Sequence, residues 1–462
     1  MRVGDEIGAL VVQLGTWYFR IGFAGDDSPK LFIRNLYGLK NNTRPEWHPS
    51  TSYVKEESVV LKEENEMVMT SSSQEPNSSE TKGNSCFLPS HSNPYLFLCD
   101  QCTVNLEAYK EEWTFSELLG EDGIINDSQA LCCLLKEAFT FLNVNPEENA
   151  CLFVEGERGL QRETYVLLSN IVFQELAMRA LFVLNHATAA TFASARTTAL
   201  VVCVGHKGTS VTPVVEGYTL RRASTRNAIG GEFLTRIVWK YFEEHAESVD
   251  KMNTTISCRK LDWEVLRTQR IVEDIKHSVC GLWNEKEDVV NSHGVPVEVF
   301  RYELKKGKFF EISRELSWKI PFVLFQPRSL QQSPLDGLSL DFRGPDETRE
   351  DIHQTVGICD MVVNALKQCD PDVRRELLGN ILLIGCSTLF PGFTKCFEDM
   401  LSERMSPMYR IKTVSIMLPE ERMYASWIGG SIVASLVTFQ NFWFSREEFT
   451  KNGAEYILEK LI

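Results

Sequence analysis

The sequence predicts an α/β protein of two lobes with mixed sheets, and three observations carry that prediction. The chain has 462 residues, more than one compact core accommodates, and 43% of them are hydrophobic, enough for two cores. Short apolar runs alternate with segments of three-and-four apolar spacing, the pattern of strand followed by helix. Three apolar strands run into glycine turns: "ALVVQLGTWYFRIGFAG", "ALVVCVGHKGTSVTPVV" and "ILLIGCSTLFPGF".

Taken in order, "VVQLGTWYFRIGFAGDDSPK" reads as a strand, a tight turn and a returning strand closed by a Gly-Asp-Asp-Ser-Pro corner. From Lys40 to about His91 the chain is rich in Ser, Glu, Asn and Pro with no sustained period; it buries too little to offset its ordering entropy and is expected to be a mostly disordered insertion. Ser128 to Leu142 reads as a helix, "ENACLFVEG" as a buried strand, "QRETYVLLSNIVFQEL" as a helix and "MRALFVLN" as a strand. The small-residue helix "HATAATFASA" precedes three strands, "TTALVVCVG", "TSVTPVV" and "GYTLRRAS". "GGEFLTRIVWKYFEEHA" is amphipathic, and the next helix places Leu266, Ile271, Ile275 and Val279 along one face. "DIHQTVGICDMVVNALKQCD" and "DPDVRRELL" begin with acidic residues suited to a helix start. The C-terminal stretch reads as two helices, the second capped by Ser445 with Glu448 three residues on.

Composition narrows the function classes. A net charge of −15 argues against nucleic acid gripped by a broadly basic surface and points to protein partners. No apolar run is long enough to span a bilayer, and "MRVGDEIGAL" has no signal-peptide core, so neither membrane nor export is expected. The 13 cysteines sit mostly in apolar segments and read as small hydrophobes in a reducing compartment; the CxxC of Cys99 and Cys102 has no second pair at metal-site spacing, so no metal site is expected. Two hairpin turns facing each other, with a third glycine turn beside them, form a cleft whose main-chain N–H groups suit phosphate; a working site adds carboxylates for a metal. The first turn carries none.

The motifs "GFAGDDSP", "SARTTALVV", "VVEGYTLRRA", "IVEDIKHSVC", "TLFPGF" and "ERMYASWIGGSIVASLVTFQNFWFSREEF" closely resemble actin, in order and at compatible spacing. The leader "GDEIGALVV" is most similar to the nuclear actin-related subunits shared by chromatin-remodelling and histone acetyltransferase complexes. The resemblance implies the actin-like two-lobed fold of duplicated ribonuclease H-like domains with four subdomains. It assigns 1–34, 96–193 and 425–462 to the lower first lobe and 35–95 to an upper subdomain replaced by the insertion. It gives 194–229 and 346–424 to the lower second lobe and 230–345 to its upper part.

It also implies a degenerate nucleotide site. Gly15, Thr16, Arg20, Gly205, Lys276 and Gly385 match or approximate phosphate- and nucleoside-contacting positions. Gln13, Cys203 and His206 replace the acidic residues that order metal and water; His186 and Ser210 replace the water-positioning Gln and His; His277, Cys386 and Met423 alter the nucleoside pocket. Hydrolysis is therefore not expected. ATP binding without hydrolysis stays open beside an emptied cleft filled by Trp17, His206 and Met423.

A partner groove is implied at Phe192, Ala193, Ala195, Thr197, Gly217, Ile428, Ile432, Val433, Leu436, Thr438 and Phe442, apolar or small enough for an amphipathic helix, although Ile432 and Leu436 also suit a helix core. The expected role is a non-catalytic nuclear subunit docking, with actin as neighbour, on a helix of a remodeller motor or scaffold. Histones are partners by analogy only. A cytoskeletal, filament-capping or motor-adaptor role in the cytoplasm is the alternative, and the polar insertion disfavours self-polymerisation.

Overall fold

Two apolar hairpins, each closed by a glycine turn, organise two sheets. The structure, a computed structural model, describes residues 8–40, 94–99, 113–120, 122–245, 263–282, 299–305, 308–332, 355–414 and 419–461. In the first lobe β1 (Ala9–Leu14) and β2 (Tyr18–Phe23) form the hairpin, β3 (Leu31–Lys40) lies beside β2, and β4 (Tyr95–Cys99) and β5 (Trp113–Glu117) pair with β3. Helix α1 (Ser128–Phe141) follows, and Asp127 caps it by accepting from the N–H of Ala130. On the other side of β1 stand β6 (Ala150–Val154) and β7 (Ala180–Leu184), both parallel, with the edge pair Phe444–Ser445 beyond them. Every residue of β1 and β6 is buried, as parallel strands covered on both faces require. Helix α2 (Arg162–Asn170) joins β6 to β7 and widens into a π-turn at Ile171–Glu175, so the single predicted helix is two. Helix α3 (His186–Ala193) ends the lobe.

The second sheet repeats the plan. Strands β8 (Ala199–Val204) and β9 (Thr209–Val215) form a hairpin, and a later strand (Ile381–Ile384) lies parallel to β8 as β6 lies parallel to β1. The third predicted strand is cut to β10 (Tyr218–Thr219), followed by a 3-10 turn at Arg221–Ala223 and β11 (Thr225–Asn227). The ladder pairs Thr219 with Val214, and the next position on β9 is Pro213, which has no N–H to donate. Helices α4 (Gly231–His245) and α5 (Trp263–Val279) pack together above this sheet with the hairpin β12 (Val299–Lys305) and β13 (Lys308–Ser313) and with α6 (Arg314–Phe322). Helices α7 (Ile358–Lys367) and α8 (Pro371–Gly379) lead to β14, the Ile381–Ile384 strand; α9 (Phe393–Arg404) leads to β15 (Thr413–Val414).

The stretch up to Gly453 forms the two expected helices, α10 (Ala425–Ser435) and α11 (Arg446–Asn452), with a 3-10 turn at Val437–Asn441 between them, and a further helix, α12 (Tyr456–Leu461), follows. Ser445 does form the expected capping box with Glu448. The glycine pair in α10 is a packing device. A Cβ on Gly429 would lie 1.7 Å from the carbonyl oxygen of Ala189 in α3, and one on Gly430 2.6 Å from Val154, so only glycines let α10 lie on α3 and the sheet together. Trp427 donates to the carbonyl of Val11 at 3.1 Å, and Ser431 Oγ accepts from the Gly25 N–H at 2.9 Å, which binds the "WIGGSIVAS" and "GFAGDDSP" motifs to each other.

Two expectations shift. Residues 35–40 belong to β3, and Leu39 pairs with Tyr95 of β4, so the sheet runs past both ends assigned to the 35–95 upper subdomain. The interior of the insertion and Cys102 lie outside the described residues. In α5 the buried apolar positions are Val265, Val272, Ile275 and Val279. Leu266 instead packs on Trp113 and Phe115 of the first lobe, and Ile271 lines the cleft, because α5 lies between core and cleft.

Candidate functional site

The turns after β1, β8 and β14 meet with α5 around one cavity of about 830 Å³ between the two sheets. Fourteen of the site residues singled out in sequence line it: Gln13, Gly15, Thr16, Trp17, Arg20, His186, Cys203, Gly205, His206, Lys276, His277, Gly385, Cys386 and Met423. Ser210 stands one step behind, 3.3 Å from Nε2 of His186.

Each side chain is placed by the sheet register. Gln13 and Arg20 face one another across the β1–β2 hairpin, and the Arg20 guanidinium donates to Gln13 Oε1 at 3.3 Å and contacts Cys386 Sγ at 4.0 Å. Arg20 is 6% exposed, its Nε has no partner, and it pairs with no carboxylate among the described residues. A buried cation bonded only to neutral groups marks a place where an anion is welcome. Gly385 has φ +96, and a Cβ there would fall 2.3 Å from the Val204 carbonyl, so the third turn needs glycine to meet β8. Lys276 does not project a free ammonium: Nζ donates to Thr235 Oγ1 at 2.8 Å and to the Gly231 carbonyl at 3.1 Å, and burial lowers its pKa with Glu273 opposing.

The acid–base character is that of neutral groups. Burial, helped by the Arg226 charge, pulls His186 down to about 3, and its Nδ1 has no partner. Burial and then the nearby Lys276, Lys207, Arg34 and Arg236 hold His206 well below its ordinary value, and His277 is pulled down to about 4 by burial and Lys276. Burial raises the Cys203 thiol well above its usual range. Neutral imidazoles, a protonated thiol and an amide are poor ligands for Mg²⁺, which prefers carboxylate and water oxygens. No group of three or more His, Cys, Asp or Glu is arranged to hold a metal among the described residues. The residues at the turn positions do not fit the magnesium nucleotide that the resemblance implies, and the cavity's carboxylates, Glu157 and Glu273, are engaged by Thr16, Lys207 and Arg34.

The cleft also holds Glu157, Arg34, Glu273, Lys207 and Glu117, which sequence reasoning missed, beside the Trp17 and His206 it named. Glu157, 7% exposed, accepts from Thr16 Oγ1 at 2.5 Å and from the Lys207 N–H at 3.3 Å. The Trp17 ring lies on His206 with centroids 4.0 Å apart. Arg34 stacks over Trp17 at 4.1 Å and pairs with Glu273 at 3.5 Å; Lys207 Nζ pairs with Glu117 at 2.5 Å. The Glu157–Lys207, Trp17–His206, Arg34–Glu273 and Lys207–Glu117 contacts cross from one lobe to the other, whereas Thr16–Glu157 and Arg34–Trp17 lie within the first. The signal for Glu157 was "VEGERG", another glycine turn directly after a buried strand.

At the foot of the molecule Ile432, Leu436, Val437 and Phe442 are 37%, 40%, 78% and 59% exposed. Ile428, Phe192, Ala193 and Gly217 are half-buried beside α10 or α3, and Ala195, Thr197 and Thr438 are exposed. Val433 departs from expectation: it is 2% exposed and packs in the core with Val11 and Trp427, on the opposite face of α10. Val437, not singled out in sequence, is the most exposed of the strip.

Comparison with known proteins agrees with the architecture. The actin family's sequence pattern matches residues 4–461. Over the full length of both chains the protein is 29% identical to "Actin-related protein 4" of Oryza sativa subsp. indica and 29% identical to that of Arabidopsis thaliana. It is 25% identical to "Actin-related protein 4" of Yarrowia lipolytica, covering 99% of this chain and 96% of that one. With twin hairpin sheets around a glycine-turn cleft and a family match over nearly every residue, the chain belongs to the actin family.

Proposed function

We propose that this protein is a non-catalytic actin-related subunit of a nuclear chromatin-remodelling or histone acetyltransferase complex, held with actin on an amphipathic helix of the motor or scaffold subunit. The observation that carries the docking role is the apolar strip at the end of α10, where Ile432, Leu436, Val437 and Phe442 stand open on a chain of net charge −15. A row of that kind suits the apolar face of a helix, with basic flanks favoured by the acidic surroundings. The likeness to proteins named actin-related protein 4 supports the nuclear setting. The cleft is not built to hydrolyse ATP: His186, His206 and Cys203 at the turn positions are held neutral, and the Glu157 carboxylate beside them is engaged by Thr16 and the Lys207 N–H.

Affinity purification of the tagged full chain from nuclear extract at moderate salt tests this. The expected result is stoichiometric actin and a remodeller ATPase or acetyltransferase scaffold, both lost from a Val437→Asp/Phe442→Asp variant that keeps its circular dichroism. Recovery with microtubule or actin motor machinery, or full retention by the variant, overturns the docking role. Steady release of phosphate from Mg-ATP, abolished by Arg20→Ala, overturns the non-catalytic role.

A further inference from the structure

We propose that the Glu157 carboxylate is the built-in occupant of the phosphate cradle, seated between the two hairpin turns where the terminal phosphates of a polyphosphate ligand would lie. The geometry is that of a bound anion. One oxygen, Oε1, takes a hydroxyl hydrogen bond from Thr16 in the turn of the first lobe and a main-chain N–H from Lys207 in the turn of the second. The side chain lies in the space that Gly205 leaves open: a Cβ on Gly205 would be 2.4 Å from Glu157 Cδ and 2.6 Å from Oε1. A main-chain amide and a threonine hydroxyl converging on a buried carboxylate against a glycine make up an oxyanion seat, with the oxyanion supplied by the chain itself.

The surrounding contacts keep that seat closed. The Trp17–His206 stack joins the same two turns, the Lys207–Glu117 pair ties the second turn to β5, and the Arg34–Glu273 pair ties β3 to α5 across the cleft. A polyphosphate entering the cleft must displace Glu157, open these contacts and bear the repulsion of the carboxylate. Among the described residues Arg20 is hydrogen-bonded to Gln13 and Cys386 and to no carboxylate, so emptying the seat leaves a cradle beside a cation without an anionic partner there. This inference goes beyond the docking role and stands whether or not a helix binds at the foot of α10.

The test uses inorganic pyrophosphate, which reads the cradle without a base or a hydrolysis step. Calorimetric titration of the full chain should show no saturation at micromolar pyrophosphate. Glu157→Ala should bind it about ten- to a hundredfold more tightly than the parent, because two donors are freed and one like charge is removed. Arg20→Gln on the Glu157→Ala background should take that gain away. A parent that saturates at micromolar pyrophosphate, or a folded Glu157→Ala variant that binds no better than the parent, refutes the proposal. If Glu157→Ala does not fold, the parent titration decides alone: saturation at micromolar concentration refutes the seat, and none up to millimolar upholds it.

Discussion

Replacing Arg34 with Met tests whether side chains crossing the cleft hold the lobes together. Arg34 and Glu273 are 13% and 10% exposed, and at their 3.5 Å separation an effective dielectric of about 20 gives an attraction of about 5 kcal/mol before desolvation is counted. The stack of Arg34 over Trp17 adds about 1 kcal/mol. Desolvation of both ions offsets much of this, but removing one member leaves the other buried, at a cost of about 3 kcal/mol. Glu273 is already pushed above the ordinary carboxyl range by burial, with Arg34 first among the charges opposing it. Opening of the cleft should therefore become easier by about 2–3 kcal/mol, and amide exchange in the turns at 15–18 and 205–208 faster by roughly 30- to 150-fold. Hydrogen–deuterium exchange read by mass spectrometry measures this. Lys136→Met serves as control, since its pair with Glu175 is 50% and 59% exposed and should leave both turns unchanged. Adding Glu273→Leu to Arg34→Met should restore part of the protection, because no charge is then left alone. Unchanged exchange in both turns of Arg34→Met refutes the reasoning.

Acid sensitivity and helix packing give two further expectations. His186 is held neutral with its pKa lowered to about 3, against an ordinary 6.5, so below pH 6.5 the unfolded chain takes up a proton that the folded chain refuses; its share of stability is present above 6.5 and lost as pH falls toward 3, at about 1.4 kcal/mol per pH unit. Denaturant titrations between pH 6.5 and 5 should show a shallower loss for His186→Gln than for the parent, and equal slopes contradict the assignment. Gly429→Ala drives a Cβ into the Ala189 carbonyl and should cost more than about 3 kcal/mol or abolish soluble expression, whereas Gly453→Ala, with φ +83 and nothing within 4 Å, should cost only about 1–2 kcal/mol. Similar melting temperatures for these two variants would contradict the packing role of the α10 glycines.

Much of the molecule was legible because its signals are local. The buried runs of β1, β6 and β8 and the Ser445 cap follow from periodicity and residue chemistry within a few positions. The cleft was legible through its turns, since glycine where two strands must meet leaves a sequence mark, as at Gly385. What failed was long-range or one-sided. Periodicity put Leu266 and Ile271 along the apolar face of α5; Ile271 does pack against the core while also lining the cleft, but Leu266 meets the first lobe, which no local pattern encodes. Val433 and Ile432 are adjacent apolar residues of α10, and only the sheet beneath decides which is buried. Acidic replacements were sought at positions aligned with the two turns, yet the carboxylate of Glu157 arrives from a third strand end, 141 residues from Thr16 along the chain.

The pairing of Leu39 with Tyr95 has a consequence for how this protein can vary. The chain leaves the first sheet and re-enters it on neighbouring strands, so the architecture registers the two departure points and is blind to the length of text between them. By the general scaling of loop closure, doubling the length of a flexible connection adds only about 0.6 kcal/mol. That rim is a port at which evolution, or an experimenter fusing a reporter, can write new sequence while the sheet below keeps its shape.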